Sequence, residues 1–589
     1  MKNNNLKNVS YMMKLVVKSA CGKAYLAGAI FNGFVMGIAG TVPVISVSLI
    51  YRLIEEESSF RSVIYWAAAM LAFVLLSRWW MHWYSNVYKP EKSAELRYHL
   101  NKALYEKSLT LDVASYYDPE FYNDFSISVN ECHSRAIQVV SICSNAIQHT
   151  ISLVSTSTVL AMIDPILSVV AIVTSVLHIV LQKKLSAMNV ERRNKLTPLY
   201  RQDYYYNNVF STSDYAREIR VSDVDELLLE KYNSNQKKIL DDSTKENVRA
   251  LKYSIPFNLL SGLVGPFVYT VIFYQILVKN SAEITDIAVA TTAFWSLRFR
   301  IQGIVRVVSD VQAQGMFIGR LIRFMGSASS LQSGSLVPDT MEKIKFDSVS
   351  FGYDKTRNVL DDINLSISNG EKIAIVGRNG SGKSTFVRLL LHLYDPDKGR
   401  IEYNRHDIRE YSVNGYRNQF AVVNQNFCMY ALPISENILC GIMNGEREVL
   451  DTSIRLSELD DKIKGLPKGY YTELTREFYD DGTVLSGGEQ QKLAIAHVFA
   501  ANRDIIVMDE PSAALDPLSE AKIMENLDEY TIDKTVIIVS HRLSCVRNAD
   551  KVFVFDGGKI VESGTHAHLM QMDGMYAKMY NIQASRFEW

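Results

Sequence analysis

Four stretches of this chain are long and apolar enough to cross a lipid bilayer. Residues 24–51, 136–163, 165–182 and 253–278 contain no Asp, Glu, Lys or Arg. About 20 apolar residues cross the hydrocarbon layer as a helix, and a helix satisfies its backbone hydrogen bonds internally. Weaker apolar segments at 62–84 and 287–309 contain arginine, and they bring the predicted number of spans to six.

The connections between these spans alternate between short and long. Little more than residue 164 separates the third and fourth spans, and a short acidic stretch separates the first two. In contrast, the charged segments 84–135 and 183–252 are each too long for simple turns. Helices that continue far beyond the membrane fit these two segments.

Charges near the ends of the spans predict the orientation. Lys18 and Lys23 precede the first span, whereas Glu55, Glu56 and Glu57 lie in the short loop that follows it. Because cytoplasmic loops are enriched in Lys and Arg, we expect the amino terminus and the long connections to be cytosolic. The predicted location is the cytoplasmic membrane, which the chain crosses several times.

Composition excludes two other classes of protein. The chain has 589 residues, 48% of them hydrophobic, and a net charge of −1, which is not typical of a nucleic-acid-binding protein. The cysteines show no C-x-x-C pairing, so neither a disulfide framework nor a cysteine metal site is predicted. They are Cys21, Cys132, Cys143, Cys428, Cys440 and Cys545.

A phosphate-binding loop lies in the carboxyl-terminal half. The apolar run 373–376 precedes a segment that fits G-x-x-x-x-G-K-[ST], and the helical pattern 386–391 follows it. Glycines let backbone N–H groups approach an anion at the amino end of a helix. The candidate nucleotide-binding residues here are Gly377, Arg378, Asn379, Gly380, Ser381, Gly382, Lys383, Ser384 and Thr385.

Two later motifs identify the family. Leu485 begins the sequence Leu-Ser-Gly-Gly-Glu, and the apolar strand 505–508 ends in Asp509 and Glu510. Together with the phosphate loop, in this order, they resemble the ATPase domain of ABC transporters. The alternation of spans before residue 309 is similar to the six-helix membrane domain of ABC exporters, most like bacterial exporters of ribosomal peptides, including lantibiotic types.

This resemblance implies a role for each motif residue. As catalytic residues it indicates Glu510 for the attacking water, His541 for the γ-phosphate and Gln425 as a Mg²⁺ sensor. Further nucleotide contacts are Tyr353 against adenine, Ser486, Gly487 and Gly488 of the signature, and Asp516 between the two sites of a dimer. The residues implied to hold Mg²⁺ are Ser384, Gln425 and Asp509. The cofactors are therefore ATP and Mg²⁺.

The sequence departs from the family pattern at several positions. Glu489 replaces the usual glutamine, His497 stands at a usual arginine, and Cys545 at a common threonine. The segment 469–485 is longer than usual, which leaves the details of coupling open. Because Glu510 and His541 are both retained, a self-sufficient homodimer is favoured over the inactive half of a heterodimer.

The domain organisation follows from these observations. An elbow segment at 1–23 precedes a membrane all-α six-helix exporter domain at 24–325, a Ser- and Gly-rich linker at 326–340 and an α/β P-loop ATPase domain at 341–589. The first coupling helix is predicted around residues 116–122 and the second around 213–218. The linker joins the two domains in one chain.

The predicted function is ATP-driven export of a peptide through a homodimer in the lipid bilayer. A lipid or multidrug exporter on the same scaffold remains an alternative, because the scaffold does not determine the cargo. A soluble ABC ATPase for DNA repair or translation is disfavoured by the spans. An ATP-gated channel shares all of these motifs and stays open as a further alternative.

Overall fold

A computed structural model describes residues 2–55, 59–163, 165–274, 277, 284–354, 357–441, 446–476, 478–512, 514–542 and 546–585. Glu56, Glu57, Asp164 and Cys545 lie outside this part. The chain divides into two compact units. The first comprises Met1–Thr110 and Pro119–Ser327, and the second comprises Leu111–Asp118 and Ala328–Trp589.

The first unit consists almost entirely of helices over its described residues. Its helices are α1 (Lys2–Lys18), α2 (Gly22–Ala39), α3 (Val42–Glu55), α4 (Phe60–Trp83), α5 (Lys89–Leu109), α6 (Pro119–Ile163), α7 (Pro165–Ser211), α8 (Ser213–Val221), α9 (Asp225–Gly262), α10 (Val264–Tyr274) and α11 (Ile284–Gly326). A π-helical turn, Tyr84–Tyr88, joins α4 to α5. The 45 residues of α6 and 47 of α7 confirm that helices extend well beyond a membrane-spanning length.

Helix α6 packs closely on α2 through a pair of glycines. A Cβ at Gly33 would approach the Ser144 carbonyl oxygen to 2.4 Å, and one at Gly37 would approach the Ile151 Cβ to 3.0 Å. Glycines four residues apart let two helix backbones meet without intervening side chains. Ser152 adds a hydrogen bond of 2.6 Å to the Gly37 carbonyl.

Three helices of the described part meet both a length and a hydropathy requirement for crossing a membrane. They cover Gly22–Ile50, Phe60–Leu109 and Pro119–Ala161. These correspond to the first three predicted spans. The predicted spans at 165–182, 253–278 and 287–309 are not among these three helices, and residues 275, 276 and 278 lie outside the described part. The number of six spans therefore stays a prediction.

The second unit is α/β and contains two sheets. Its strands are β1 (Lys343–Phe351), β2 (Leu360–Ser368), β3 (Lys372–Gly377), β4 (Lys398–Tyr403), β5 (His406–Asp407), β6 (Phe420–Val423), β7 (Ile505–Asp509), β8 (Thr535–Val539), β9 (Lys551–Asp556) and β10 (Lys559–Gly564). The smaller sheet is antiparallel with order β2-β1-β4-β5. The larger has order β10-β9-β3-β8-β7-β6 and is parallel except for β10.

Nine helices accompany these strands in the described part of this unit. They are α12 (Lys383–Leu390), α13 (Val413–Arg417), α14 (Ile434–Leu439), α15 (Glu446–Leu456), α16 (Asp460–Lys464), α17 (Gly487–Ala501), α18 (Pro517–Tyr530), α19 (His566–Gln571) and α20 (Met575–Ala584). Strands β3, β7 and β8 are buried almost throughout, as the apolar runs predicted. Their carboxyl ends meet at one edge of the sheet, where ligands of open α/β sheets bind.

Segment 111–118 belongs to the second unit. It contains the 3₁₀ turn Val113–Tyr117, and the methyl group of Ala114 packs against the apolar core of this unit. Asp112 Oδ2 accepts hydrogen bonds from the Ser330 backbone N–H at 2.6 Å and from its hydroxyl at 2.5 Å. Asp112, which precedes the predicted first coupling helix, thus contacts the predicted linker. The second candidate, around residues 213–218, lies in α8 of the first unit.

Candidate nucleotide-binding site

The phosphate loop connects β3 to α12 through glycines in unusual conformations. Gly380 has φ +78° and Gly382 has φ +104°, a region that side chains with a Cβ rarely adopt. At Gly382 a Cβ would also lie 2.5 Å from Leu360 Cδ2. The loop therefore requires glycine at this position for space as well as for conformation.

Lys383 lies at the start of α12, and its ammonium group folds back over the loop. Its Nζ donates to the carbonyl oxygens of Gly377 at 3.0 Å and Arg378 at 3.1 Å. Burial lowers the pKa of Lys383, while the carboxylates of Glu510 and Asp509 act in the opposite direction. This side chain places a positive charge at the loop.

Asp509 ends strand β7 beside the loop. Its carboxylate hydrogen-bonds to Ser384, and burial raises its pKa to about 6, with a further contribution from Glu510. Within the described part of the chain, Asp509 Oδ1 and Ser381 Oγ are buried without a hydrogen-bond partner. Buried polar atoms are rarely left unpaired, so both atoms fit contacts to a bound group.

The donor set suits a hard cation next to phosphate. The Ser384 hydroxyl and Asp509 carboxylate offer adjacent oxygen atoms, the ligand type that Mg²⁺ prefers. The unpaired Oδ1 leaves one carboxylate oxygen available. Gln425, the third residue predicted to hold Mg²⁺, instead contacts Glu510 through its amide nitrogen.

Glu510 follows Asp509 and is held through both of its carboxylate oxygens. Gln425 Nε2 donates to Oε2 at 3.0 Å, and His541 Nδ1 lies 3.3 Å from Oε1. These partners follow β6 and β8, the strands on either side of β7. The three predicted catalytic side chains therefore meet at the carboxyl edge of the sheet.

The backbone of Glu510 is itself unusual. Its φ of +55° is left-handed, which costs a non-glycine residue about 1–3 kcal/mol. Its N–H donates to the Val539 carbonyl at 2.8 Å, and its carbonyl accepts from Gln491 Nε2 at 3.0 Å. Gln491 Oε1 in turn accepts from the Ala514 N–H at 2.7 Å. The sequence motifs did not indicate Gln491, although it comes only three residues after Gly488.

Tyr353 lies next to α12 with about half of its side chain exposed. Its hydroxyl is 3.1 Å from Thr385 Oγ1 and accepts from Arg388 NH1 at 2.6 Å. The rings of Phe351 and Tyr394 meet it nearly edge-on, at centroid distances of 5.2 Å and 5.4 Å. The exposed ring beside the loop is available for stacking on a base, while Arg388 was missed because its role depends on this contact.

The signature residues form the start of α17. Ser486 caps the helix by accepting from the Glu489 N–H, and Glu489 Oε2 accepts from the Ser486 N–H at 2.7 Å. Lys462 of α16 completes this arrangement with an ion pair of 3.0 Å to Glu489 Oε1. The unusual Glu489 thus has a cationic partner within its own unit. Gly487 and Gly488 form the first turn of the same helix.

Asp516 has a local role in this structure. Its Oδ1 accepts from the backbone N–H groups of Leu518 and Ser519 at 3.1 Å and 3.0 Å, which caps α18. Hydrogen bonding to Ser519 lowers the pKa of this carboxyl. Its carboxylate is therefore directed at its own helix, and the predicted role between two sites stays a prediction.

Comparison with known proteins agrees with this geometry. Residues 360–513 match the profile of the family described as ABC transporter. The carboxyl-terminal unit therefore contains a segment of this family. The matched segment begins at Leu360, the first residue of strand β2. It includes the phosphate loop described above.

A resemblance in fold extends over nearly the whole chain. A solved bacterial Atm1-family ABC exporter with ATP bound is 22% identical, with a TM-score of 0.82, and the match covers 95% of this chain and 98% of that one. The fold is therefore that of an exporter-type half-transporter, a helical membrane domain followed by an ABC ATPase domain.

Two relatives carry named transport functions. A putative multidrug export ATP-binding/permease protein of Staphylococcus aureus is 40% identical over 242 residues, which is 41% of each chain. The chain therefore matches about two fifths of that relative's length. The subtilin transport ATP-binding protein SpaT of Bacillus subtilis is 26% identical over 560 residues, covering 92% of this chain and 89% of SpaT.

Proposed function

We propose that this chain is an ATP-driven exporter of peptides that works as a homodimer in the cytoplasmic membrane. The observation that carries this proposal is the fixed carboxylate of Glu510, held by Gln425 and His541 at the edge of a sheet next to a phosphate loop. Phosphoryl transfer to water needs mostly positioning and charge neutralisation, which this arrangement can supply.

Each part of the site has a distinct task in this proposal. Lys383 and the N–H groups of the loop bind the phosphates, and Tyr353 stacks on the adenine. Glu510 orients the attacking water and accepts its proton, while His541 contacts the γ-phosphate. Ser384, Asp509 and Gln425 would hold Mg²⁺, which when bound neutralises charge on the phosphates.

The signature completes the site of a second chain. Ser486 is exposed at the amino end of α17, where N–H groups and the helix dipole favour an anion. Within one chain, Ser486 caps its own helix, and no contact between Ser486 and Glu510 is found among the described residues. A second copy that presents this helix end to the γ-phosphate would explain why each chain carries only half of a site.

Peptide cargo is supported by the relative with the widest coverage of the two described. SpaT aligns over 92% of this chain and is described as a subtilin transport protein. A multidrug cargo is the second candidate, because the staphylococcal relative has the higher identity of 40%. The half-transporter scaffold is compatible with both.

Transport by reconstituted protein distinguishes these candidates. The full-length protein is placed in liposomes with its ATPase domain outside, and uptake of a fluorescent subtilin-class peptide is compared with uptake of a hydrophobic cationic dye. We expect ATP-dependent uptake of the peptide and none with Glu510→Gln. Uptake of the dye alone would replace the peptide assignment, and ATP hydrolysis without concentrative uptake of either would favour a channel.

A further inference from the structure

An arginine in the predicted sixth span lies against the end of α2. Arg300 NH2 on α11 donates to the Gly40 carbonyl oxygen at 3.1 Å. A Cβ at residue 40 would approach this nitrogen to 2.3 Å, so glycine leaves the space that the guanidinium occupies. Arg300 is partly buried, and its Nε has no hydrogen-bond partner among the described residues.

A histidine from α6 lies against the same face of α11 as this arginine. The ring of His149 contacts Gly303, where a Cβ would come within 2.4 Å of it. Residues 300 and 303 are three apart, so they share one face of α11. His149 Nδ1 is also buried and has no hydrogen-bond partner in the described part of the chain. The Phe299 ring meets the imidazole nearly edge-on at 6.5 Å.

The charge of Arg300 is not neutralised by a carboxylate in the described part of the chain. Its one hydrogen bond there goes to a carbonyl at the carboxyl end of α2, which carries only a partial negative charge. Ionisable groups within membrane-spanning helices are costly and usually contact a partner or a water-filled cavity. A buried charged group with an unpaired donor therefore requires a further partner.

We propose that Arg300 and His149 bind the acidic group of an amphipathic cargo. Arg300 Nε donates one hydrogen bond to a carboxylate or phosphate oxygen, and His149 donates a second in the tautomer that carries its proton on Nδ1. The apolar surfaces of the surrounding helices receive the rest of the molecule. This inference rests on the proposed export function and specifies the chemistry of its cargo.

Two other arginines in the predicted spans do not fit this role. Arg78 has an exposed side chain near the end of α4. Arg298 lies with its guanidinium 5.3 Å from the centre of the Trp295 ring. It is two residues from Arg300, about 200° around the helix, and so faces away from His149. Arg298 is therefore a matched control, a cation on the same helix with another environment.

Binding to the detergent-purified full-length protein tests this site. The probes are a hydrophobic peptide as its free carboxylic acid and as its carboxyl-terminal amide, and dioctanoyl phosphatidic acid against dioctanoylglycerol. We expect the wild-type protein to prefer an acidic probe over its neutral match by about tenfold, the effect of a hydrogen bond to a charged group. A preference within the peptide pair would identify a peptide carboxylate as the ligand. A preference within the lipid pair would identify a lipid phosphate.

Substitutions assign the preference to these residues. Arg300→Gln is expected to bind acidic and neutral probes equally, Arg300→Lys to retain part of the preference, and Arg298→Gln to retain it fully. A preference unchanged in Arg300→Gln would overturn the proposal. If that variant does not fold, His149→Phe decides the question. Loss of the preference supports the site, and an unchanged preference contradicts it.

The result of this binding test can be distinguished from the result of the transport test of the proposed function. A wild-type protein that hydrolyses ATP and concentrates a cargo but shows no preference for an acidic probe would contradict this site alone. A wild-type protein that prefers the acidic probe but transports nothing would contradict the export function alone.

Discussion

Glu510 is fixed in position by its strained backbone and by partners on both carboxylate oxygens. Glu510→Gln removes the base but retains the shape of the side chain, so MgATP binding should persist. We expect ATP turnover to fall about 10²–10⁴-fold, the contribution typical of a positioned general base. The measurement is ATPase activity of the purified protein alongside nucleotide affinity.

A matched carboxylate provides the control for this variant. Glu525 lies exposed on α18 of the same unit, and Glu525→Gln is expected to retain wild-type turnover. Turnover within twofold of wild type in Glu510→Gln would remove this residue from the catalytic role. Parallel loss of nucleotide binding would indicate a structural role instead.

The raised pKa of Asp509 predicts that the stability of the folded protein depends on pH. Its pKa is raised from 3.8 to about 6, so the unfolded chain releases this proton before the folded protein does as pH increases. Stability therefore decreases between about pH 4 and pH 6, and above pH 6 the ionised carboxylate costs on the order of 3 kcal/mol. Asp509→Asn removes that cost.

Thermal unfolding without nucleotide tests this effect. Asp509→Asn should have a higher Tm than wild type at pH 7.5, and a smaller advantage at pH 5. Saturating MgATP should reverse the order at pH 7.5, because only the wild-type carboxylate contributes to the metal site. A lower Tm for the variant at pH 7.5 without nucleotide would show that the carboxylate is already compensated in the folded protein.

At the scale of elements, the start of α17 combines a carboxylate with a proposed phosphate site. Glu489 places a negative charge on the first turn of the helix, and the ammonium of Lys462 on α16 neutralises it. Lys462→Ala leaves that charge uncompensated next to the proposed γ-phosphate. We expect ATPase activity to fall roughly fivefold, corresponding to about 1 kcal/mol for one ion pair.

A double substitution isolates the electrostatic cause. Glu489→Gln retains a capping side chain without charge, so Lys462→Ala combined with Glu489→Gln should recover most of the lost activity. Lys464→Ala removes an exposed cation from the same helix, paired with Asp460 at 3.8 Å, and should have little effect. Failure of Glu489→Gln to restore Lys462→Ala would mean that Lys462 acts by packing.

These contacts also show which parts of the candidate site can be predicted from the sequence alone. Motifs in the sequence indicated Gln425, Glu510 and His541 one by one, and the structure brings them together because each follows a strand and parallel strands end at one edge of a sheet. In contrast, Lys462 and Gln491 belong to no recognised motif, and their contacts depend on how α17 packs against α16 and the end of β7. The contact between Arg300 and the end of α2 joins residues 260 positions apart, which periodicity does not reveal.

At the scale of the whole molecule, charge asymmetry predicts which connections face the cytosol. A cysteine introduced by Glu56→Cys into a cysteine-free background should react with an impermeant thiol reagent added outside intact cells. Lys237→Cys, on the long helix α9, should react only after the cells are opened. The opposite pattern would reverse the orientation and place the ATPase domain away from its supply of ATP.

The last prediction concerns sites that are shared between two chains. If each site combines the phosphate loop of one chain with the signature of the other, Lys383→Ala and Ser486→Arg should complement each other in a mixed dimer. One chain then contributes an intact loop and the other an intact signature, so one complete site remains. We expect about half of the wild-type activity, or less if the two sites act cooperatively.

The arrangement of the same two substitutions provides the control. When both are in one chain and the partner is wild type, each site contains one defect, and activity should fall to background. The two dimers have identical composition and differ only in which chain carries each substitution. They can be isolated with two different affinity tags, so their ATPase rates are directly comparable. The reverse result, activity in the dimer with a wild-type partner and background activity in the mixed dimer, would mean that each chain forms a complete site by itself and that the signature does not act across the dimer.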